Sequence, residues 1–172
     1  MRLRRPDSTT NTKTIENRSS SMEPLIHCAR PGQGCEARQD DSVAVRVPPD
    51  RLRRGDIVIF RAPQLAAFEC GAAGFYLKRL IALPGDRWSE RRGVVYINGK
   101  RLAEPYVRPD RRDPRTLTLK DIPPRGTLSK VPHRMYLVLG DNRRSSCDSR
   151  VFGLMPRANI IGRVVHVLHP SS

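Results

Sequence analysis

The sequence lacks any apolar run long enough to cross a membrane as a helix, because no window of about 18 apolar residues occurs in its 172 residues. Residues 1–18, MRLRRPDSTTNTKTIENR, also lack the apolar segment that defines a secretory signal peptide. Their polarity and positive charge predict a disordered basic tail over residues 1–18.

Aromatic residues and acidic residues are both scarce. Aromatic residues make up only 5% of the chain, which leaves few side chains on which nucleic-acid bases could stack. Asp and Glu number 17 against 32 Lys and Arg, for a net charge of +15. Such an excess attracts nucleic acid or an anionic membrane surface, although an arginine-rich surface without any partner explains it equally well.

Patterns typical of metal ligands are absent. The four cysteines are Cys28, Cys35, Cys70 and Cys147. The first pair is too widely spaced for a C-x-x-C motif and no H-x-x-x-H pair follows, so we expect no metal site. A Cys28–Cys35 disulfide in an oxidising compartment and free thiols both remain open.

Sustained helical periodicity is absent too, while Pro (15) and Gly (12) recur along the chain. Alternating or β-rich runs predict strands at residues 41–47, 56–60, 75–82, 94–97, 100–102, 135–139 and 160–168. Asn98-Gly99 predicts a tight type I′ hairpin turn. The fold class predicted is therefore mainly β with antiparallel sheets, and the stretch 108–132, rich in charge and proline, reads as an exposed excursion.

One lysine stands inside an apolar strand. Lys78 follows Leu77 and precedes Leu80 and Ile81, and lysine is rarely buried unless it is paired or functional. Burial would lower its pKa, so that a neutral amine could accept a proton from a serine hydroxyl. On this pattern alone, an exposed Lys78 with its amine in water is the favoured interpretation.

Two polar segments could supply partners for such a lysine. Residues 19–21 are a serine run in a loop context, and residues 140–150 form a second polar loop in which Asp148 and Arg150 could make an ion pair. Composition alone leaves a Ser-His-Asp triad open, although the G-x-S-x-G pattern is absent. The histidines, which we interpret as surface or strand residues, are His27, His133, His166 and His169.

Four motifs occur in a fixed order. They are Ser-Ser-Ser-Met-Glu-Pro at 19–24, Arg-Gly-Asp-Ile-Val-Ile-Phe at 54–60, Lys-Arg-Leu-Ile-Ala-Leu-Pro-Gly-Asp at 78–86, and Gly-Asp-Asn-Arg-Arg-Ser-Ser-Cys-Asp-Ser-Arg at 140–150. Each alone is unspecific, but in this order they resemble the motif series of type I signal peptidases. The resemblance covers residues 19–168.

The resemblance implies a serine–lysine dyad. In that family the serine before the methionine attacks the scissile carbonyl and the lysine of the Lys-Arg pair is its general base, which implies Ser21 and Lys78 here. Ser19 would join the backbone N–H of Ser21 in the oxyanion hole. The matched positions for a serine that orients the lysine, for its supporting acid and arginine, and for the arginine beside the base are Ser146, Asp148, Arg150 and Arg79.

The resemblance also implies a fold, a substrate and a location. The fold is a catalytic core of two antiparallel sheets, built from residues 19–86 and 134–172, with an inserted β-ribbon subdomain at 87–133. The substrates would be secretory preproteins, bound as an extended strand and cleaved after small residues in an A-x-A-like site. No metal or cofactor is needed. The expected partners are signal peptides and the lipid surface on the extracytoplasmic side, with no nucleic acid.

The chain departs from the family pattern before and after the serine. Arg18 and Leu25 stand where the family usually has proline and threonine. The family's transmembrane helix before the serine is missing, so we expect a fragment or mis-started chain, a soluble enzyme, or one held at lipid by its charge, and we favour a fragment. A truncated inactive form and a self-cleaving repressor-type Ser–Lys protease are alternatives, although residues 1–18 leave no room for a DNA-binding helical domain.

Overall fold

Antiparallel strands make up most of the regular structure in the computed structural model, which describes residues 11–170. The strands are β1 (Asn11–Glu16), β2 (Ser42–Val47), β3 (Ile57–Arg61), β4 (Phe75–Ala82), β5 (Trp88–Arg91), β6 (Val94–Ile97), β7 (Lys100–Arg101), β8 (Leu117–Thr118), β9 (Met135–Leu139), β10 (Met155–Pro156) and β11 (Ile160–Leu168). The two helices of the described range, α1 (Gln64–Glu69) and α2 (Ser149–Phe152), are short. The prediction of a mainly β fold with antiparallel sheets is confirmed.

The larger sheet has seven strands in the order β1-β2-β11-β3-β4-β9-β10. Strand β4 lies between β3 and β9, and Lys78 is in register with Val58 of β3. Because side chains alternate along a strand, Lys78 and Arg79 point to opposite faces of this sheet. The two neighbouring cations therefore belong to different surroundings.

The smaller sheet has four strands in the order β7-β6-β5-β8 and is built from residues 88–118. Asn98 and Gly99 join β6 to β7 with positive φ angles of 51° and 79°, as the predicted tight turn requires. Its buried residues share one hydrophobic cluster with the larger sheet, whose members include Trp88, Ile97 and Leu139. The two sheets therefore pack through a common core.

The prediction of an exposed excursion over residues 108–132 is wrong in part. Leu119, Ile122 and Val131 are buried in the cluster beneath the smaller sheet. These apolar residues are separated by prolines and charges, so no period of 2 or 3.6 marks them in the sequence. The charged residues between them are mostly exposed, as expected.

The prediction of a disordered tail over residues 1–18 is wrong for residues 11–16. These residues form β1, an edge strand in which all six positions pair with β2, from Asn11 opposite Val47 to Glu16 opposite Ser42. Five of its six side chains are exposed and only Ile15 packs against the core. Main-chain hydrogen bonds to β2 stabilise this strand, and hydrophobic patterning cannot reveal them. Residues 1–10 lie outside the described residues.

Two disulfides cross-link the four cysteines. Cys28 and Cys35 are bonded, which settles the alternative that the sequence left open. Cys70, at the end of α1, is bonded to Cys147, which is 77 residues further along the chain; the sequence analysis did not foresee this bridge. Over residues 11–170 we find no helix with the length and apolarity needed to span a bilayer.

Candidate active site

A short 3-10 turn, Ser20–Met22, holds the serine run in place. Met22 is fully buried beneath it and packs in the cluster that includes Ile26. Asn142, in the loop after β9, donates its backbone N–H to the carbonyl of Ser21 at 3.0 Å and its side-chain amide to the carbonyl of Ser20 at 3.1 Å. The backbone of Ser21 is therefore fixed from both sides.

The side chains of Ser21 and Lys78 meet although they are 57 residues apart in the chain. The Nζ atom of Lys78 lies 2.7 Å from the Oγ atom of Ser21, and it also donates to the carbonyl of Leu77 at 3.0 Å. Lys78 is 3% exposed and Ser21 is 4% exposed. The interpretation of Lys78 as an exposed surface lysine is therefore wrong, because the serine turn covers its face of the sheet.

Burial makes the Lys78 amine a weaker base than a lysine in water. Loss of solvation lowers the pKa of Lys78 to about 8, and Arg150 acts in the same direction. The carboxylates of Asp148 and Asp141 oppose this shift, but they make no hydrogen bond to the amine. Near pH 8 a large fraction of Lys78 is neutral, and a neutral amine at 2.7 Å can accept the hydroxyl proton of Ser21.

Ser19 lies directly beside the backbone N–H of Ser21. It is the N-cap of the serine turn, and its Oγ atom accepts a hydrogen bond from that N–H at 3.3 Å. Asn17 shapes this segment, since its buried amide donates to the carbonyls of Ser19, Ile26 and His27. Ser19 is exposed, so its hydroxyl proton can be donated to a bound molecule.

A cleft of about 430 Å³ opens in front of these groups. Its walls include the Glu16–Ser19 segment, residues 72–73 and 75–78, and the Cys70–Cys147 pair. None of the four histidines, all of which are described, lines the cleft or hydrogen-bonds Ser21. A Ser-His-Asp triad is therefore absent from this site, and no group of His, Cys, Asp or Glu in residues 11–170 could hold a metal ion.

The family of the chain follows from comparison with known proteins. A family model described as "Signal peptidase, peptidase S26" matches residues 7–169. The chain belongs to this family. It is 39% identical over 119 residues to signal peptidase I of Bacillus caldolyticus, a match that covers 66% of this chain and 59% of that protein. It is 36% identical over 128 residues to signal peptidase IB of Staphylococcus aureus, covering 70% and 63% respectively.

A solved structure agrees with this assignment. The crystal structure of a signal peptidase I from Enterococcus faecalis V583 is similar with a TM-score of 0.57 and 33% identity, over 68% of this chain and 99% of that one. The chain spans about three fifths of the length of the Bacillus and Staphylococcus relatives.

Asp148 and Arg150 form the ion pair that the sequence predicted, in the loop that carries the last motif of the signal peptidase series. Two guanidinium nitrogens of Arg150 donate to the two carboxylate oxygens of Asp148 at 2.9 and 2.8 Å. Burial alone would raise the pKa of Asp148, but the Arg150 guanidinium holds it below its usual value. Asp148 also accepts from the N–H of Gly140 at 3.1 Å, so the pair closes the loop onto the end of β9.

Ser146 reaches the same region without the contact that the signal peptidase resemblance implies. Its buried Oγ atom makes no hydrogen bond with Lys78, although Ser146 lies close enough to Asp148 to help lower the pKa of that carboxyl. A Cβ atom on Gly140 would lie 2.2 Å from this oxygen and 2.5 Å from the carbonyl of Ser21. Position 140 therefore requires glycine in this chain, because Ser146 and the serine turn leave no room for a side chain.

Arg79 points away from Ser21, on the other face of β4. Its guanidinium binds Asp141 through two hydrogen bonds of 2.8 and 2.6 Å and stacks over the ring of Tyr106 at 3.9 Å. It also donates to the carbonyl of Gly55. Burial raises the pKa of Asp141, while Arg79 opposes that shift. Arg79 thus braces the loop after β9 and does not touch the serine.

Four further charged residues are buried near Arg150 and the loop after β9, and their sequence context did not mark them as candidates. Arg143 is 1% exposed, binds the carboxylate of Glu104 and donates to the carbonyl of Gly140 at 2.9 Å. Asp113 accepts from Arg150 at 2.9 Å, and Glu90 lies 3.8 Å from the same guanidinium. Charged residues are mostly exposed, so nothing in their sequence context marked these four as buried.

Proposed function

We propose that the chain is the catalytic region of a signal peptidase I-type serine endopeptidase, in which Ser21 is the nucleophile and Lys78 is the general base. The observation that carries the proposal is the 2.7 Å contact between the Lys78 amine and the Ser21 hydroxyl, buried at the end of an open cleft. The lowered pKa of Lys78, about 8, supports the role of base. Family membership supports the same reaction.

The reaction would proceed through an ester on Ser21. Neutral Lys78 takes the hydroxyl proton as Oγ attacks the scissile carbonyl, and the protonated amine then gives that proton to the departing nitrogen. Lys78 then removes a proton from a water molecule that attacks the ester carbonyl, and returns that proton to Ser21 Oγ as the bond between Oγ and the acyl carbon breaks. The Ser21 N–H and the Ser19 hydroxyl, which are adjacent here, would stabilise the oxyanion, each contributing roughly 3–4 kcal/mol.

The remaining predicted residues would position the loop that lies next to Ser21 and Lys78. Asp148 and Arg150 hold the loop that carries Ser146, and Arg79 holds Asp141 at the base of the same loop. Ser146 would orient Lys78 only if one of the two side chains moved, because they make no hydrogen bond here. None of these side chains lines the cleft, so we assign them positioning roles.

The substrates would be secretory preproteins cleaved after small residues. The cleft runs between the Glu16–Ser19 segment and residues 75–78 of β4, where an extended peptide can lie as an added strand. Tyr76 and Leu77 line it together with Ser21, which would leave room for small side chains next to the cleaved bond. No metal or cofactor takes part in this proposal.

We place the reaction at the extracytoplasmic membrane surface. Both disulfides support an oxidising compartment. The net charge of +15 favours contact with anionic lipid headgroups. The small number of aromatic side chains, 5% of the chain, speaks against single-stranded nucleic acid as a partner.

The test is cleavage of a preprotein with an A-x-A site, in detergent and in anionic vesicles, by the parent chain and by Ser21→Ala and Lys78→Ala. The matched controls are Ser129→Ala and Lys130→Ala. They make the same two changes at consecutive exposed positions outside the cleft. We expect cleavage after the second small residue by the parent and both controls, and none by the two site variants. A folded parent that leaves the preprotein intact in both media would refute the proposal.

A further inference from the structure

The Cys70–Cys147 disulfide lies in the wall of the catalytic cleft. Cys70 and Cys147 line the same cavity as Ser21 and Lys78, and both are only half-buried. The bridge joins two parts of the chain that are 77 residues apart. Cys147 stands between Ser146 and Asp148, so the bridge is attached directly to the loop that faces the dyad.

The segment on the other side of the bridge is weakly held by packing. Residues 62–74 leave β3, form α1 and return to β4, and only Ala66 among them is fully buried. Phe68 is 83% exposed and Leu65 is 39% exposed. Hydrogen bonds from the Ala62 N–H to the Gly74 carbonyl and from the Tyr76 hydroxyl to the Ala72 carbonyl close its base. Ala66 packs in one hydrophobic cluster with Phe152 of α2, and the disulfide adds the covalent tie between this segment and the loop after β9.

The dyad, in contrast, is held without the bridge. Lys78 lies in the middle of β4, which pairs with β3 and β9. Asn142 fixes the backbone at Ser21. Opening the disulfide would thus release the cleft wall while leaving the catalytic contact in place.

We propose that the Cys70–Cys147 disulfide is a redox-sensitive clamp that holds the peptide-binding wall against the loop carrying Ser146 and Asp148. Reduction by a dithiol transfers two electrons and two protons to the bridge, gives two thiols and leaves the reductant as a disulfide. The freed 62–74 segment then binds an extended peptide less well. This inference rests on the proposed function, since it concerns the peptide-binding side of the same site.

The second disulfide provides an internal comparison. Cys28 is 0% exposed and Cys35 is 9% exposed, whereas the Cys70–Cys147 pair faces the open cleft. Exposure controls access of a reductant to a disulfide sulfur. We therefore expect graded dithiothreitol, followed by alkylation and mass spectrometry, to label Cys70 and Cys147 before Cys28 and Cys35. Equal labelling of all four cysteines, or labelling in the reverse order, contradicts the clamp as a selective switch.

The kinetic test compares the oxidised parent, the selectively reduced parent and the Cys70→Ser/Cys147→Ser variant on one A-x-A peptide. We expect kcat/KM to fall about tenfold in the last two, through a higher KM, with kcat changed by less than about threefold. Dithiothreitol should have no further effect on the double variant, which is the matched control for reduction elsewhere. An unchanged KM in a sample whose bridge is shown to be open overturns the proposal.

Hydrogen exchange separates this inference from the proposed function. Reduction should speed exchange in residues 62–74 and 144–148 but not in β4 or β9. That result does not depend on peptide cleavage, so a parent that exchanges as expected and cleaves nothing would refute the peptidase assignment alone. Unchanged exchange in residues 62–74 after opening of the bridge would refute the clamp, whatever the activity.

Discussion

Burial of Lys78 sets the pH at which this site can act. Its pKa is lowered to about 8, chiefly by loss of solvation, so the amine gains the neutral form that the proposed reaction requires as the pH rises through that value. We predict that log kcat/KM rises with a slope near 1 below pH 8 and levels off above pH 9, measured on a peptide without ionisable side chains. A flat profile between pH 6 and 9, or a midpoint near the ordinary lysine value, would count against Lys78 as base.

The same burial should make Lys78 a cost to stability. At pH 7 the folded chain holds a charged amine where its pKa is lowered, whereas the unfolded chain holds it at no penalty. We predict that Lys78→Met raises the free energy of unfolding at pH 7 by on the order of 2–3 kcal/mol. The folded pKa lies below the unfolded one, so this gain should shrink between pH 8 and 10.5. Urea unfolding at pH 7 and pH 10 tests this, and an unchanged or lower stability at pH 7 would contradict it.

Ser19 should affect the transition state more than substrate binding. Its hydroxyl lies beside the N–H of Ser21, where an oxyanion would form. We predict that Ser19→Ala lowers kcat by roughly 10²–10³-fold with little change in KM, because a donor to the oxyanion acts on developing charge. Ser19→Thr keeps the hydroxyl and should retain most of the activity. A raised KM with normal kcat in Ser19→Ala would assign the residue to binding instead.

The sequence could identify these residues by type but not by position in space. Ser21 and Lys78 stood out through ordered motifs, yet the pattern around Lys78 favoured an exposed amine. Only the serine turn folding over β4 buries it, and that contact joins residues 57 apart. The burial of Arg143 and Glu104 was likewise not predictable, because it depends on a contact between residues far apart in the chain. Each charge neutralises the other in the interior.

At the scale of elements, strands with alternating apolar residues were predictable and polar edge strands were not. Residues 42–47 and 75–82 bury alternate or continuous apolar side chains, which the sequence shows directly. Strand β1 has mostly polar, exposed side chains and depends on pairing with β2. The position of β1 matters for the site, because the Glu16–Ser19 segment that follows from it lines the cleft.

The two disulfides should differ in their effect on stability. Cys70–Cys147 spans 77 residues and Cys28–Cys35 spans 7. In the chain-entropy account the longer loop is worth about 4.5 kcal/mol and the shorter about 2.5 kcal/mol. We predict that Cys70→Ser/Cys147→Ser lowers the free energy of unfolding by about 2 kcal/mol more than Cys28→Ser/Cys35→Ser, as measured by guanidinium unfolding. The reverse order would mean that packing around the buried Cys28 outweighs loop length.

At the scale of the whole molecule, a buried charge network connects the smaller sheet with the segment after β9. Glu90 on β5, Glu104 after β7 and Asp113 before β8 face Arg143 and Arg150. Arg143 lies in the loop that also carries Ser146 and Asp148, and Arg150 lies in α2 directly after it. Motif order predicted the larger sheet and the insertion, but such long-range pairing appears only when both are folded. The carboxylates of the smaller sheet and its connections therefore help to hold Arg143 and Arg150 in place.

Within this network, Glu90 has the fewest favourable contacts for its carboxylate. It is 0% exposed, both its carboxylate oxygens lack hydrogen-bond partners in the described part of the chain, and the nearest cation, Arg150, is 3.8 Å away. Burial raises the pKa of Glu90 to about 7, although Arg150 and Arg143 oppose the shift. A carboxyl whose folded pKa lies above its unfolded value stabilises the protein fully below about pH 4.5, and that contribution is lost as the pH rises through about 7.

We predict that Glu90→Gln removes the loss of stability that ionisation of Glu90 causes as the pH rises. The stability of the variant relative to the parent should increase between pH 4.5 and 8, by on the order of 2–3 kcal/mol at full ionisation. Arg150 keeps Asp148 and Asp113 as partners, so the amide leaves no unpaired cation. Unfolding by urea at several pH values, with the exposed Glu69→Gln as control, measures the difference. If both variants track the parent at every pH, the ionisation of Glu90 is already balanced by the two arginines and the network carries no net strain at neutral pH.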